Sequence, residues 1–157
     1  MPKQPAFPQL SYAFKKKQTK REKFLFEMDV VVPWARPTAL IEPYYPTGGG
    51  AWGGRPPIPL ETMLRVYFLR NWYGLSDPQV EESLYDTELM RCFAGIELGD
   101  DRIPDETTIL KFRHRLEEHG LTEKIFAAVN EYLTDMGMEL SSGTMLDATI
   151  IQAPSST

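Results

Sequence analysis

Only one cysteine, Cys92, and two histidines, His114 and His119, occur in the 157 residues. One cysteine makes no intramolecular disulfide, and so few cysteines and histidines form no Cys/His zinc cluster. No apolar run approaches the roughly 18 to 20 residues of a membrane-spanning helix; Val30-Val31-Val32 is stopped by Pro33. Met1 leads into a basic segment with no apolar stretch that could act as a secretory signal. Hydrophobic residues at 42% and charged residues at 25% are ordinary globular proportions, which excludes bulk disorder, collagen-like repeats and coiled-coil rods. The length suits one domain better than two. The expectation is a soluble, cytoplasmic, disulfide-free protein with no membrane partner.

Charge is distributed unevenly. Residues 1–24 hold seven basic residues against Glu22, a net +6, while the rest holds ten basic and 21 acidic, a net −11; together they return the overall −5. A basic arm on an acidic body suits a polyanion contact made through the arm, where Lys15, Lys16, Lys17 and Lys20 are the candidates. A solvated, frayed terminus would have the same composition.

Along the chain, residues 1–23 read as this arm and residues 24–140 as a helical domain. Phe24, Leu25, Met28, Val31 and Val32 recur at helical spacing up to Pro33. From Pro33 to Pro59 there are seven prolines and five glycines, which reads as a loop or hinge. No Gly-Lys-Ser/Thr follows its glycines, so a phosphate-binding loop is not indicated. Leu60, Leu64, Tyr67 and Phe68 then form an apolar stripe flanked by Met63 and Trp72, ending near Tyr73-Gly74. Ser76-Asp77-Pro78-Gln79 has the form of a capping box, opening a helix with Val80 and Leu84 inward and Glu81 and Glu82 outward. A short turn follows through Leu89 and Phe93 to Gly95, in which Cys92 reads as a small core residue.

Asp105 is a plausible N-cap for a helix from Glu106 to about His119, burying Ile109, Phe112 and Leu116. A second helix, from about Glu123 to Met136, buries Ile125, Val129, Tyr132, Leu133 and Met136, and Gly137 stops it. From Thr144 to Ile151 the chain is rich in β-branched residues without a helical stripe, and reads as a strand. A lone strand of this kind has no ladder partner, so residues 143–157 look like the start of another domain.

Two places could carry chemistry. On the helix from Glu106, Thr107, Lys111, His114 and Glu118 share the side opposite the apolar stripe, with Thr108 and Arg115 adjoining. Short polar groups followed by long cations are what a helix presents to a DNA major groove, although a solvated amphipathic helix has the same pattern. The preceding capped helix would complete a helix-turn-helix-like unit across an unusually long connection. Arg113 projects near the apolar side, where it should pair with a carboxylate. The second place is Asp147, a carboxylate inside the apolar run Met145 to Ile151. Metal coordination would compensate its desolvation, and so would exposure on the polar face of an edge strand.

Several segments resemble a known family. Gly54-Arg55-Pro56-Pro57-Ile58-Pro59-Leu60-Glu61-Thr62-Met63-Leu64-Arg65, Trp72-Tyr73-Gly74-Leu75-Ser76-Asp77, Glu82 through Phe93-Ala94-Gly95, and Pro104-Asp105-Glu106-Thr107-Thr108-Ile109-Leu110-Lys111-Phe112-Arg113-His114 resemble the N-terminal domain of insertion-sequence transposases of the fifth, InsH-like class. Leu146-Asp147-Ala148-Thr149-Ile150-Ile151-Gln152-Ala153-Pro154-Ser155-Ser156 is similar to the segment bearing the first aspartate of their catalytic Asp-Asp-Glu triad. The resemblance runs from about residue 20 to 157.

It implies a mainly α fold: a helical, helix-turn-helix-like DNA-binding domain followed by the first β-strand of a truncated ribonuclease-H-like domain. It also implies a homo-oligomer acting on double-stranded DNA at the terminal inverted repeats of an element. Asp147 would be catalytic and a Mg²⁺ ligand in the intact enzyme, where two metal ions activate the attacking oxygen and stabilise the leaving one. With one of the three carboxylates present, the 157 residues alone are expected to be inactive. The competing expectations are a truncated DNA-binding regulator that inhibits transposition and a helical subunit-interaction module.

Overall fold

The computed structural model describes residues 17–46, 56–140 and 150–152. Lys15, Lys16, Asp147 and both glycine clusters lie outside them. The architecture is mainly helical, as the periodicities require. The helices are α1 (Lys20–Val31), α2 (Ala35–Ile41), α3 (Leu60–Trp72), α4 (Asp77–Asp86), α5 (Glu88–Ala94), α6 (Glu106–Glu118) and α7 (Leu121–Asp135). A 3₁₀ turn, Glu42–Tyr44, continues from α2.

Helix α1 begins four residues before the first apolar position because Thr19 is its N-cap, accepting the Glu22 amide at 3.2 Å. Lys20, Arg21 and Lys23 therefore belong to this helix and not to an extended arm. The Pro33–Pro59 stretch needs a larger correction, since it contains α2 and the 3₁₀ turn. Pro37 falls in the first turn of α2, where a missing N–H costs no intrahelical bond. Pro37 and Ile41 are buried, and α2 packs against α3 and α7. Burial of this short apolar face outweighs the composition that suggested a loop.

Helix α3 is at the centre. Met63, Leu64, Val66, Tyr67, Phe68, Leu69 and Trp72 are all buried, so it is apolar nearly all round and not on one stripe. The Phe68 ring lies 5.5 Å from Trp34, 5.2 Å from Trp72 and 5.3 Å from Phe126, mostly edge to face. Arg65 ties three helices together. Its Nη1 donates to Asp29 Oδ1 at 2.6 Å and to the Phe93 carbonyl at 3.0 Å, and its guanidinium lies over the Trp34 ring at 4.3 Å.

The capping box of α4 forms as its sequence dictates: Gln79 N–H donates to Ser76 Oγ and Ser76 N–H to Gln79 Oε1. Arg91 on α5 donates to the Leu84 and Tyr85 carbonyls, closing the C-terminal end of α4. Met90, Phe93 and Ala94 carry α5 into the core, whereas Cys92 falls off that stripe and is exposed, contrary to its expected place. On α7, Ile125, Val129 and Leu133 are buried. Tyr132 is only half-buried beneath Arg36, and Met136 is exposed because the helix has ended.

Met138–Leu140 (β1) pairs antiparallel with Ile150–Gln152 (β2), in the register Met138 to Gln152. The described part of the expected strand therefore has a ladder partner, supplied by the residues directly after α7.

Candidate nucleic-acid interface

Helix α6 is held by its neighbours before it offers anything to solvent. Asp105 Oδ1 accepts the Thr108 amide at 2.7 Å, and Glu81 Oε1 on α4 accepts the Glu106 amide at 2.6 Å. Two carboxylates thus occupy donors that would otherwise attract an anion at the helix start. The Thr108 hydrogen bonds hold the Asp105 carboxyl below its ordinary range, with Arg102 and Lys111 adding to the effect.

About two turns on, Arg113 does pair with a carboxylate. Its Nη2 meets Asp77 Oδ2 at 2.7 Å and its Nε meets Oδ1 at 3.0 Å, while Arg70 Nε reaches Oδ1 at 2.9 Å. Asp77, Arg113 and Arg70 side chains are 12%, 20% and 23% exposed. This fork joins α3, α4 and α6. It holds the Asp77 carboxyl below its usual range, chiefly through the Arg113 hydrogen bonds and against the cost of burial.

The opposite side of α6 presents Thr107, Lys111 and His114 exposed, with Thr108 and Arg115 half-buried at its edge. Thr108, Lys111 and Arg115 open onto a cleft of about 180 Å³, shared with Tyr45, Pro46, Pro57, Ile58, Met63, Arg102 and Phe112. Among the described residues, three cations and no carboxylate line it. Three side chains of its wall are held by hydrogen bonds. Arg115 Nη1 donates to the Tyr44 carbonyl at 3.0 Å, Arg102 Nη2 to the Pro56 carbonyl at 3.4 Å, and the Tyr45 hydroxyl to the Ile58 carbonyl. The Tyr45 ring sits edge-on to Phe112 at 6.1 Å. Burial raises the Tyr45 hydroxyl above its ordinary pKa, and Arg115 and Arg102 partly offset that rise.

The structure therefore brings Thr108, Lys111 and Arg115 together and adds Arg102 and Tyr45, which the sequence reading did not select. Arg102 was detectable as the lone cation between Asp100-Asp101 and Asp105. Lys17 and Lys20 are exposed at the N-terminal end of α1, which packs on α5, and neither lines this cleft. Helices α4 and α6 do pack together. They are separated in sequence by α5 and by residues 95–105, so the pair is not joined by a turn of three to four residues. Among the described residues no three His, Cys, Asp or Glu side chains group as metal ligands, and no helix is long and apolar enough to cross a membrane.

No solved structure matches the chain. The family model described as Transposase domain (DUF772) matches residues 12–115, from before α1 through Arg115 on the cleft. This agrees with the resemblance to the N-terminal region of an insertion-sequence transposase, and it carries a role in transposition and contact with DNA in general. With the match covering well over half its residues, the chain belongs to the transposase domain family.

Proposed function

We propose that this chain is the DNA-binding part of an insertion-sequence transposase, and that it grips the terminal inverted repeats of its element through the outward face of α6 and the adjoining cleft. The observation that carries the reading is the convergence of Arg102, Lys111 and Arg115 on one cleft whose described lining holds no carboxylate, in a protein of net charge −5. Long-range attraction to DNA is weak for such a body, so affinity must come from a local concentration of cations.

In this reading Arg102, Lys111 and Arg115 contact phosphates, and Thr107, Thr108 and His114 lie along the groove, where short polar groups and an imidazole reach base edges or sugar. Lys15, Lys16, Lys17 and Lys20 add sequence-independent phosphate contacts. The Asp77 fork fixes the angle at which α6 is presented, because it ties the middle of α6 to α3 and α4. Asp147 would serve as a Mg²⁺ ligand together with other carboxylates. The described residues supply no such group, and no catalytic step is assigned to them.

The test is equilibrium binding to duplexes bearing the element's ends and to scrambled duplexes, across a salt series. Lys111→Ala and Arg102→Ala should each weaken both, with the slope of log affinity against log salt falling by about one per lost phosphate contact. Removing residues 1–16 should weaken both duplexes equally. Unchanged affinity in the two cleft variants would refute the placement of the interface.

A further inference from the structure

Past the cleft, where α6 ends, two aromatic side chains face solvent together. His119 is the C-cap of α6 and Tyr44 closes the 3₁₀ turn; their rings stack with centroids 4.1 Å apart and planes 22° from parallel. Tyr44 is 43% exposed, and His119 is exposed too. The rings around Phe68 instead pack edge to face or tilted, inside the core. A near-parallel exposed pair leaves flat aromatic surface in water, which a further flat ring can cover. The turn does not rely on the stack alone, because Arg115 Nη1 also ties the Tyr44 carbonyl to α6 at 3.0 Å.

We propose that Tyr44 and His119 form a stacking platform for one unpaired nucleobase of a DNA strand whose phosphates lie on Lys111 and Arg115; this rests on the cleft being the DNA interface. Lys111, Arg115 and His119 follow at four-residue spacing, so they form one row along α6 in steps of about 6 Å. A strand held at Arg115 therefore brings a neighbouring base to the rings, one turn away. Bases within a duplex already cover one another's faces. Only a base at a frayed or single-stranded end, or one turned out of the stack, has a face to give. Local charge also selects a base over a phosphate. Glu42 opens the turn that Tyr44 closes, Glu118 precedes His119, and both are exposed. Those carboxylates disfavour a phosphate at the rings and do not oppose an uncharged ring face. The base needs no particular identity, since every base offers a π-face.

Equilibrium binding of the full chain to a pair of duplexes tests it. One carries a single-stranded overhang of about four thymidines, and the other an overhang with the same sugar-phosphate chain but no bases. The two carry equal charge, so the ratio of their affinities isolates the bases. Wild type should bind the thymidine overhang about tenfold more tightly than the abasic one. Tyr44→Ala and His119→Ala should each remove most of that ratio, whereas Tyr44→Phe should keep it. Both side chains are exposed, so circular dichroism should be unchanged. Lys111→Ala should weaken both duplexes alike and leave the ratio intact. A stack that only held the turn against α6 would, once broken, weaken both duplexes equally, and that result would overturn the proposal. So would a Tyr44→Phe loss as large as that of Tyr44→Ala. A wild-type ratio near one, with Lys111→Ala still weakening both duplexes, would overturn the platform and keep the cleft. Lys111→Ala without effect on either duplex would refute the cleft as the phosphate site, and the proposal with it.

Discussion

Asp77→Asn removes a charge at the junction of α3, α4 and α6 while keeping the shape of the side chain. The carboxylate accepts three guanidinium hydrogen bonds, two from Arg113 and one from Arg70. An asparagine retains one acceptor oxygen, and its amide N–H groups face one of the Arg113 donors. At least one charge-assisted bond is lost and a donor meets a donor, a cost of about 1.5–3 kcal/mol. The full 3–5 kcal/mol of an orphaned buried pair does not apply, because both arginines retain some contact with water. We expect about 2 kcal/mol of destabilisation in urea melts at pH 7.

The sign with pH follows from the lowered carboxyl pKa. A depressed folded-state pKa gives a contribution that is complete above the unfolded value, about 3.9, and is lost as pH falls through the folded value. The difference between wild type and Asp77→Asn should therefore be constant from pH 7 to pH 5 and shrink below about pH 4. A difference under about 0.5 kcal/mol at pH 7, or one that grows on acidification, would refute the role assigned to the fork.

Other outcomes follow from single features. Ser76→Ala opens the capping box of α4 and should cost about 1 kcal/mol in the same melts. Gly95 ends α5 at φ 78° with nothing within 4 Å of an added Cβ, so Gly95→Ala should cost about 1 kcal/mol from backbone strain alone. Cys92 is exposed, yet burial of its thiol and the nearby Glu88 raise its pKa. A thiol reagent should therefore label the native chain slowly at pH 7 and much faster above pH 9, whereas full reactivity at pH 7 would contradict that environment.

Features governed by local spacing were legible in the sequence. The Ser76 and Asp105 caps, the Ile109-Phe112-Leu116 stripe and the stop at Gly137 each depend on residues within a turn or two of one another. Arg113 could be assigned a carboxylate partner in kind because its angle on the helix put it beside the apolar face. That the partner is Asp77, 36 residues away, is set by packing that no local pattern encodes. Helix α2 was hidden by the prolines around it and by Pro37, whose position within the first turn makes it harmless. Cys92 was misplaced because Phe93 beside it is buried, although Met90, Phe93 and Ala94 already complete the inward face of α5. The cleft was half legible: α6 supplied Thr108, Lys111 and Arg115 by periodicity, but Arg102 and Tyr45 reach it from non-helical segments, where periodicity says nothing. The pairing of Ile150–Gln152 with Met138–Leu140 was missed because three residues are too few to show alternation.

The most direct measurement is an amide chemical-shift map of the isotopically labelled chain, recorded as a duplex bearing the element's end is added. If α6 and its cleft form the DNA interface, the largest changes should fall on Arg102, Thr107, Thr108, Lys111, His114 and Arg115, with Tyr45 moving alongside them. Changes confined to α7 or to the Phe26–Val30 face of α1, with the cleft silent, would contradict it.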